Sequence, residues 1–171
     1  MPYARLPSVL CMRGEVSEGY GRGSKKLGVP TANLPSSLFS DRLQDVPTGV
    51  YLGWAALEET QPGSSPVKAV VNIGFSPTFE GKENKEKIVE AHLIGYKGGD
   101  FYGKTMRLLL GGFQRSERKF GSFPELVATI NKDVADAALA LDEDEYLAGL
   151  SRDAFLDLKR EVEPWLRRAA E

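Results

Sequence analysis

The 171-residue sequence predicts an α+β fold with its β structure first and its helix last. Two observations carry that prediction. Up to about residue 113 the apolar residues come in short runs broken by Gly, Pro, Asn and Ser. From Ser122 onward they recur at three- and four-residue intervals, the spacing of one helical face. There is no repeat, no low-complexity tract and no composition shift, so residues 1–171 read as a single domain.

The β runs lie at about 9–16, 49–57, 67–74, 88–96 and 105–113. Turn-forming stretches at 61–66, 81–87 and 98–100 separate them. Several short strands at close spacing predict a small sandwich or a barrel. The connection from Gly19 to Pro47 is long for a turn, and long loops in compact domains tend to be functional. Ser122 and Glu125 form a capping-box pattern, with Pro124 in the first turn, where a missing N–H does no harm. Phe123, Leu126, Val127, Ile130, Val134, Ala137, Ala138 and Leu141 then make one apolar helical face. The acidic stretch 142–145 interrupts it. A second helical pattern follows Ser151 through Phe155, Leu158, Val162 and Trp165, with Pro164 kinking or ending it.

Composition narrows the function. The net charge of −2 argues against non-specific nucleic-acid binding, which needs excess Lys and Arg. The single cysteine, Cys11, cannot close an intrachain disulfide and reads as a small core residue in a reducing compartment. One histidine excludes a Cys/His zinc site. No apolar run reaches the roughly 18 residues of a membrane span, and the N-terminus lacks the apolar core of a signal peptide. The expectation is a soluble cytoplasmic or organellar monomer with no membrane partner.

The most informative stretch is 19–33, GYGRGSKKLGVPTAN. Its glycines let backbone amides approach an anion, and Arg22, Lys25 and Lys26 can neutralise it. The hydroxyl of Thr31 and the amide oxygen of Asn33 could hold a hard cation such as magnesium. The segment is neither a P-loop nor a dinucleotide fingerprint, since Lys26 stands where GxGxxG needs its last glycine.

On the strand near 88–96, Val89, Ala91 and Leu93 share one face; Ile88, Glu90, His92 and Ile94 share the other. Burial among apolar neighbours would raise the Glu90 pKa toward the range of a general base; the bland alternative is a solvated or ion-paired glutamate. His92 reads as a satisfied strand histidine, because no GxSxG elbow accompanies it. Residues 72–79 read as turn chemistry. The aromatics of 100–103 either stack on a flat ligand or plug the space between strands. The basic loop 114–120 is either solvated or placed over a polar ligand.

The blocks GRGSKKLGVPTAN, TGVYLGWA, NIGFSPTF, KIVEAHLI, DFYGKTMRL and FQRSERKFGSFPELVATINKDV, in that order, resemble the riboflavin kinase (flavokinase) family, in its monofunctional eukaryotic form. The resemblance covers about 13–141; the C-terminal helical extension, about 142–171, carries no family motif. It implies a mainly β fold, a six-stranded antiparallel Greek-key barrel with C-terminal helices. It implies transfer of the γ-phosphoryl group of ATP to the ribityl 5′-hydroxyl of riboflavin, giving FMN and ADP. The divalent metal it implies is magnesium, with zinc as an alternative. By the same resemblance Glu90 is the catalytic base, and Thr31 and Asn33 contact metal and nucleotide. Gly19, Gly23, Ser24, Lys25 and Pro30 belong to the phosphate loop, and Phe101 lies near the nucleotide. Arg115, Glu117 and Phe120 belong to the loop over flavin; Ser116 stands where the family usually has Pro. No adenylyltransferase or phosphatase module is expected. The competing reading is a non-catalytic flavin-binding β-barrel module, which would have no need of Thr31, Asn33 and Glu90 together.

Overall fold

The computed structural model describes residues 2–17, 31–58, 65–75, 87–99, 101–156 and 165–169. The strands among them are β1 (Ala4–Glu15), β2 (Thr31–Leu34), β3 (Gly49–Leu57), β4 (Val67–Phe75), β5 (Lys87–Leu93), β6 (Thr105–Arg115) and β7 (Trp165–Ala169). They form one sheet in the order β2-β5-β4-β3-β6-β1-β7, every pair antiparallel. The consecutive strands β3, β4 and β5 make a meander. Strands β2 and β6 return to flank it, which is the Greek-key order expected of the first six strands. The ladder does not run continuously round a barrel. Its β1 and β2 ends meet at an isolated antiparallel bridge, Ser17 to Asn33.

Alternation of side chains gives the sheet two faces with different tasks. Ala32, Leu34, Val71, Ile73, Val89, Ala91, Leu93, Met106, Leu108 and Leu110 point inward, each 1% exposed or less. The opposite face of β3 and β4 carries Val50, Leu52, Trp54 and Val70. These pack beneath two helices, α1 (Phe123–Glu143) and α2 (Glu145–Leu156), through Ala137, Leu141, Leu147 and Leu150. Burying a Leu or Trp side chain here is worth roughly 1.5–3 kcal/mol. The indole N–H of Trp54 donates to the Leu147 carbonyl at 2.8 Å, fixing α2 over β3. Cys11 lies buried in this outer layer, as a small core residue should.

The helix starts as its capping pattern predicts. Ser122 is extended (φ −153°, ψ 159°), and its Oγ accepts from the Glu125 N–H at 3.3 Å. The Glu125 carboxylate reaches back to the Gly121 N–H, one residue before the cap. The acidic stretch proves to be a corner. Asp144 ends α1, and its Oδ1 accepts from the N–H groups of Tyr146 and Leu147 to start α2. The second helix therefore begins at Glu145, ahead of the Ser151 expected from apolar spacing.

Two further expectations are corrected. The helical spacing includes Trp165, with Pro164 kinking or ending it, but 165–169 is a strand paired with β1, Trp165 opposite Met12. The unpaired edge of β1 accepts an extended chain after Pro164, where the ring cannot continue a helix. Leu158 and Val162 of that pattern lie outside the described residues. The connection 19–47 is also not loop throughout. Thr31–Leu34 is a strand, and two 3₁₀ turns follow at Ser36–Leu38 and Ser40–Leu43. Phe39, Leu43 and Val46, all buried, join the inner core from this segment.

Candidate active site

The helices lie over β3, β4 and β6, and α1 and α2 leave the outer face of β5 and β2 to polar side chains. On that face the strand register lines up one row. Asn33 of β2 is opposite Glu90 of β5, Glu90 is opposite Asn72 of β4, Asn72 is opposite Val50 of β3, and Val50 is opposite Arg115 of β6. Residues distant in sequence become neighbours at the roughly 4.5–5.5 Å Cβ spacing of opposed pairs.

Asn33 is held from both sides. Its backbone N–H donates to the Ser17 carbonyl at 3.2 Å and its carbonyl accepts from the Ser17 N–H at 2.9 Å. Both its backbone polar groups thus face away from β5. Asn33 and Glu90 are then a non-hydrogen-bonded pair, the kind whose side chains lie closest. Asn33 is 7% exposed, and its Oδ1 is buried with no hydrogen-bond partner. Such an oxygen is costly to leave unpaired unless something fills its place.

Glu90 is half-buried beside it. Burial raises its carboxyl pKa, and a hydrogen bond from Thr31 pulls the other way without cancelling the rise. Thr31 sits opposite His92, the next row along the same face. Burial pushes the His92 imidazole down to about 4, so it is neutral at pH 7. Below about pH 6.5 the unfolded chain then binds a proton that the folded chain refuses, so stability falls as pH drops through the window from 6.5 to 4. Melting temperature should therefore decline over that window more steeply in the wild type than in His92→Gln. Equal slopes would contradict the burial of a neutral imidazole.

The loop after β6 reaches the row through a bulge. Between Val50 and Tyr51 of β3, β6 advances an extra residue, which lets Gln114 and Arg115 both reach α1. The Gln114 amide donates to the Asp133 carbonyl at 3.0 Å. The Arg115 guanidinium grips the Asp133 carboxylate, Nη2 to Oδ2 at 2.7 Å and Nε to Oδ1 at 3.0 Å. Glu117 folds back over β4. A Cβ on Gly74 would stand 1.8 Å from Glu117 Oε1, so the absence of a side chain at Gly74 makes the seat. Its carboxyl pKa is raised by burial, against the opposing pull of Arg115 and of a hydrogen bond from Asn72. The Phe120 ring lies beneath two guanidinium groups, 6.0 Å from that of Arg115 and 4.9 Å from that of Arg118.

The structure thus joins Thr31, Asn33, Glu90, Arg115 and Glu117 on one face. It does not offer Phe101. That ring is 2% exposed, edge-on to Tyr96 at 5.3 Å, and part of the inner core, so it plugs the strands and presents no face to a nucleotide. Its neighbour Tyr102 is 40% exposed, with its hydroxyl 3.5 Å from the Thr31 carbonyl. Gly19, Gly23, Ser24, Lys25 and Pro30 lie outside the described residues. Two residues escape sequence reading. Asn72 sits beside turn-forming residues, and only its register shows that it adjoins Glu90. Asp133 is a buried carboxylate next to the apolar stripe of α1, a break in polarity that could have marked it.

Among the described residues no group of three or more His, Cys, Asp or Glu is placed to hold a metal ion. Also among them, no helix is long and apolar enough to cross a membrane.

The chain is similar over most of its length to known proteins of one family. A family model described as "Flavokinase: Riboflavin kinase" matches residues 6–141. Riboflavin kinase of Mus musculus is 39% identical over 149 residues, covering 86% of this chain and 90% of the mouse protein. Riboflavin kinase of Homo sapiens is 36% identical with the same coverage, 86% and 90%. The crystal structure of riboflavin kinase from Trypanosoma brucei superposes with a TM-score of 0.72 at 25% identity, over 96% of this chain and 98% of that one.

Proposed function

This chain belongs to the riboflavin kinase family, and we propose that within it Glu90 is the catalytic base, Thr31 and Asn33 form the metal–nucleotide site, and Arg115, Glu117 and Phe120 fold over the flavin. As a riboflavin kinase it transfers phosphate from ATP to riboflavin in the making of FMN. The observation that carries the finer assignment is the row Asn33–Glu90–Asn72, with a half-buried carboxylate of raised pKa between two amides.

The ribityl 5′-hydroxyl donates to the Glu90 carboxylate, which aims the oxygen lone pair at the γ-phosphorus of ATP. The new O–P bond forms as the bond from γ-phosphorus to the bridging oxygen breaks. ADP leaves, and the hydroxyl proton passes to Glu90 and then to water. A raised pKa suits Glu90 to accept that proton, a contribution worth roughly 10²–10⁴ in rate. Phosphoryl transfer otherwise asks for positioning and charge neutralisation.

The donors present suit a hard cation. Asn33 Oδ1 is buried and unpartnered, and Thr31 Oγ1 keeps its lone pairs while its O–H donates to Glu90. Two neutral oxygens leave most of an octahedron to phosphate oxygens and water, as magnesium prefers. When bound, the ion supplies neutralisation of phosphate charge; zinc is the alternative. Gly19, Gly23, Ser24, Lys25 and Pro30 complete the phosphate loop by family resemblance. Converting Asn33→Ala is expected to raise the magnesium concentration needed for half-maximal activity on the order of tenfold. An unaltered metal titration would remove Asn33 from that site.

The activity itself is tested by incubating the protein with riboflavin, ATP and magnesium or zinc, with chromatographic detection of FMN. FMN formation is expected. Its absence with every divalent metal would favour a flavin-binding barrel without turnover.

A further inference from the structure

We infer that Asn72 is a specificity-determining residue for the acceptor: its side-chain carbonyl oxygen binds the secondary hydroxyl next to the one that is phosphorylated. This rests on the assignment of Glu90 to the reacting hydroxyl.

The side chain of Asn72 is oriented by Glu117. Its amide donates to the Glu117 carboxylate, whose seat over β4 is the space left at Gly74. The NH₂ edge of Asn72 therefore faces Glu117, and the carbonyl edge is turned away from it. That carbonyl oxygen is buried and has no hydrogen-bond partner. A buried acceptor on a polar face calls for a donor from outside the described residues.

The register says what donor it would meet. Asn72 is directly opposite Glu90, at the roughly 5 Å Cβ spacing of a cross-strand pair. A polyol whose terminal hydroxyl donates to Glu90 carries its next hydroxyl one carbon away, within reach of an acceptor on the adjoining strand. The two unpaired amide oxygens flanking Glu90 then divide by side. Asn33 lies toward the proposed phosphate and metal end. Asn72 lies toward the loop that carries Arg115 and Glu117, where the flavin would close the site.

Glu117 keeps this orientation because Gly74 gives its carboxylate room. A methyl group at Gly74 would overlap Glu117 Oε1, the movable end of a side chain, so Gly74→Ala should displace Glu117 and free the Asn72 amide to turn.

The test is a two-by-two comparison of phosphorylated flavin formed by wild type and Asn72→Ala, with riboflavin and with 4′-deoxyriboflavin. Either change alone is expected to lower kcat/KM roughly three- to tenfold, mostly through KM, as one lost hydrogen bond would. Making both changes should cost no more than making one. Losses that multiply, or no loss in Asn72→Ala with riboflavin, would overturn the inference. Gly74→Ala should reproduce part of the Asn72→Ala defect with riboflavin; wild-type behaviour there would count against the clamp. Should Asn72→Ala fail to fold, Asn72→Ser, which keeps a shorter oxygen acceptor, enters the same comparison with a smaller loss expected. Full turnover in Glu90→Gln would sink the base assignment, yet the comparison would still report on Asn72.

Discussion

Glu90→Gln is expected to bind riboflavin and ATP much as the wild type does and to turn over roughly 10²–10⁴ times more slowly. Gln keeps the shape and still accepts the Thr31 hydrogen bond, but it cannot take a proton. The same change should alter stability in the opposite direction. A carboxyl whose pKa is raised on folding holds its proton more tightly in the native state. Stability is then lost as pH rises from the ordinary glutamate range through the raised value. At pH 7 the wild type carries that cost and the Gln variant does not. Glu90→Gln should therefore melt higher than wild type at neutral pH, with the gain shrinking as pH falls to about 4. Turnover measured beside binding checks the first part and melting curves across pH check the second. A variant that keeps full turnover, or that melts lower at pH 7, would contradict this role and this environment for Glu90.

Asp133→Ala should have the largest effect away from the chemistry. Asp133 is 8% exposed and holds the Arg115 guanidinium by Nε and Nη2. Removing one partner of a buried pair costs about 3–5 kcal/mol; here the partial exposure of Arg115 reduces that to about 2–3 kcal/mol. For a chain of this length that lowers the melting temperature by roughly 4–12 °C. Without its anchor Arg115 no longer fixes the start of the loop that carries Glu117 and Phe120, so flavin binding should weaken as well. Asp133→Asn, which keeps the shape but not the charge, should fall between wild type and Ala. Thermal denaturation and flavin titration that match the wild type would show the pair to be an ornament of the surface.

The inner core was legible because its strands alternate. Alternation puts Val89, Ala91 and Leu93 on one face and Glu90 and His92 on the other, and the structure turns the first face inward. Strand β2 also alternates, Thr-Ala-Asn-Leu, but four residues are too few for a period to stand out. Its partner β5 and the bridge at Ser17 define it. Strand β7 is not legible in the sequence because Phe155, Leu158, Val162 and Trp165 carry a helical spacing that Pro164 kinks or ends. What decides it is the free edge of β1, a tertiary feature. The start of α2 is hidden because Asp144, an interruption in the apolar spacing, is the polar side chain that ends one helix and begins the next.

The site divides the same way. Glu90, Thr31 and Asn33 carry chemistry that residue type alone suggests. Their union with Asn72 and Arg115 depends on register, and register between strands far apart in sequence follows from the pairing of the whole sheet. Asn72 was hidden by the turn residues after it, and Asp133 by the apolar helix around it. Phe101 shows the converse: an aromatic in a loop with two readings, which the core claims.

The most direct measurement is a crystal structure of the protein with riboflavin, magnesium and a non-hydrolysable ATP analogue. The ribityl 5′-hydroxyl should lie within about 2.6–3.2 Å of the Glu90 carboxylate, donating to it, on the face shared with Asn33 and Asn72. A 5′-hydroxyl seated elsewhere, out of hydrogen-bond reach of the Glu90 carboxylate, would contradict the placement of the reaction on this row.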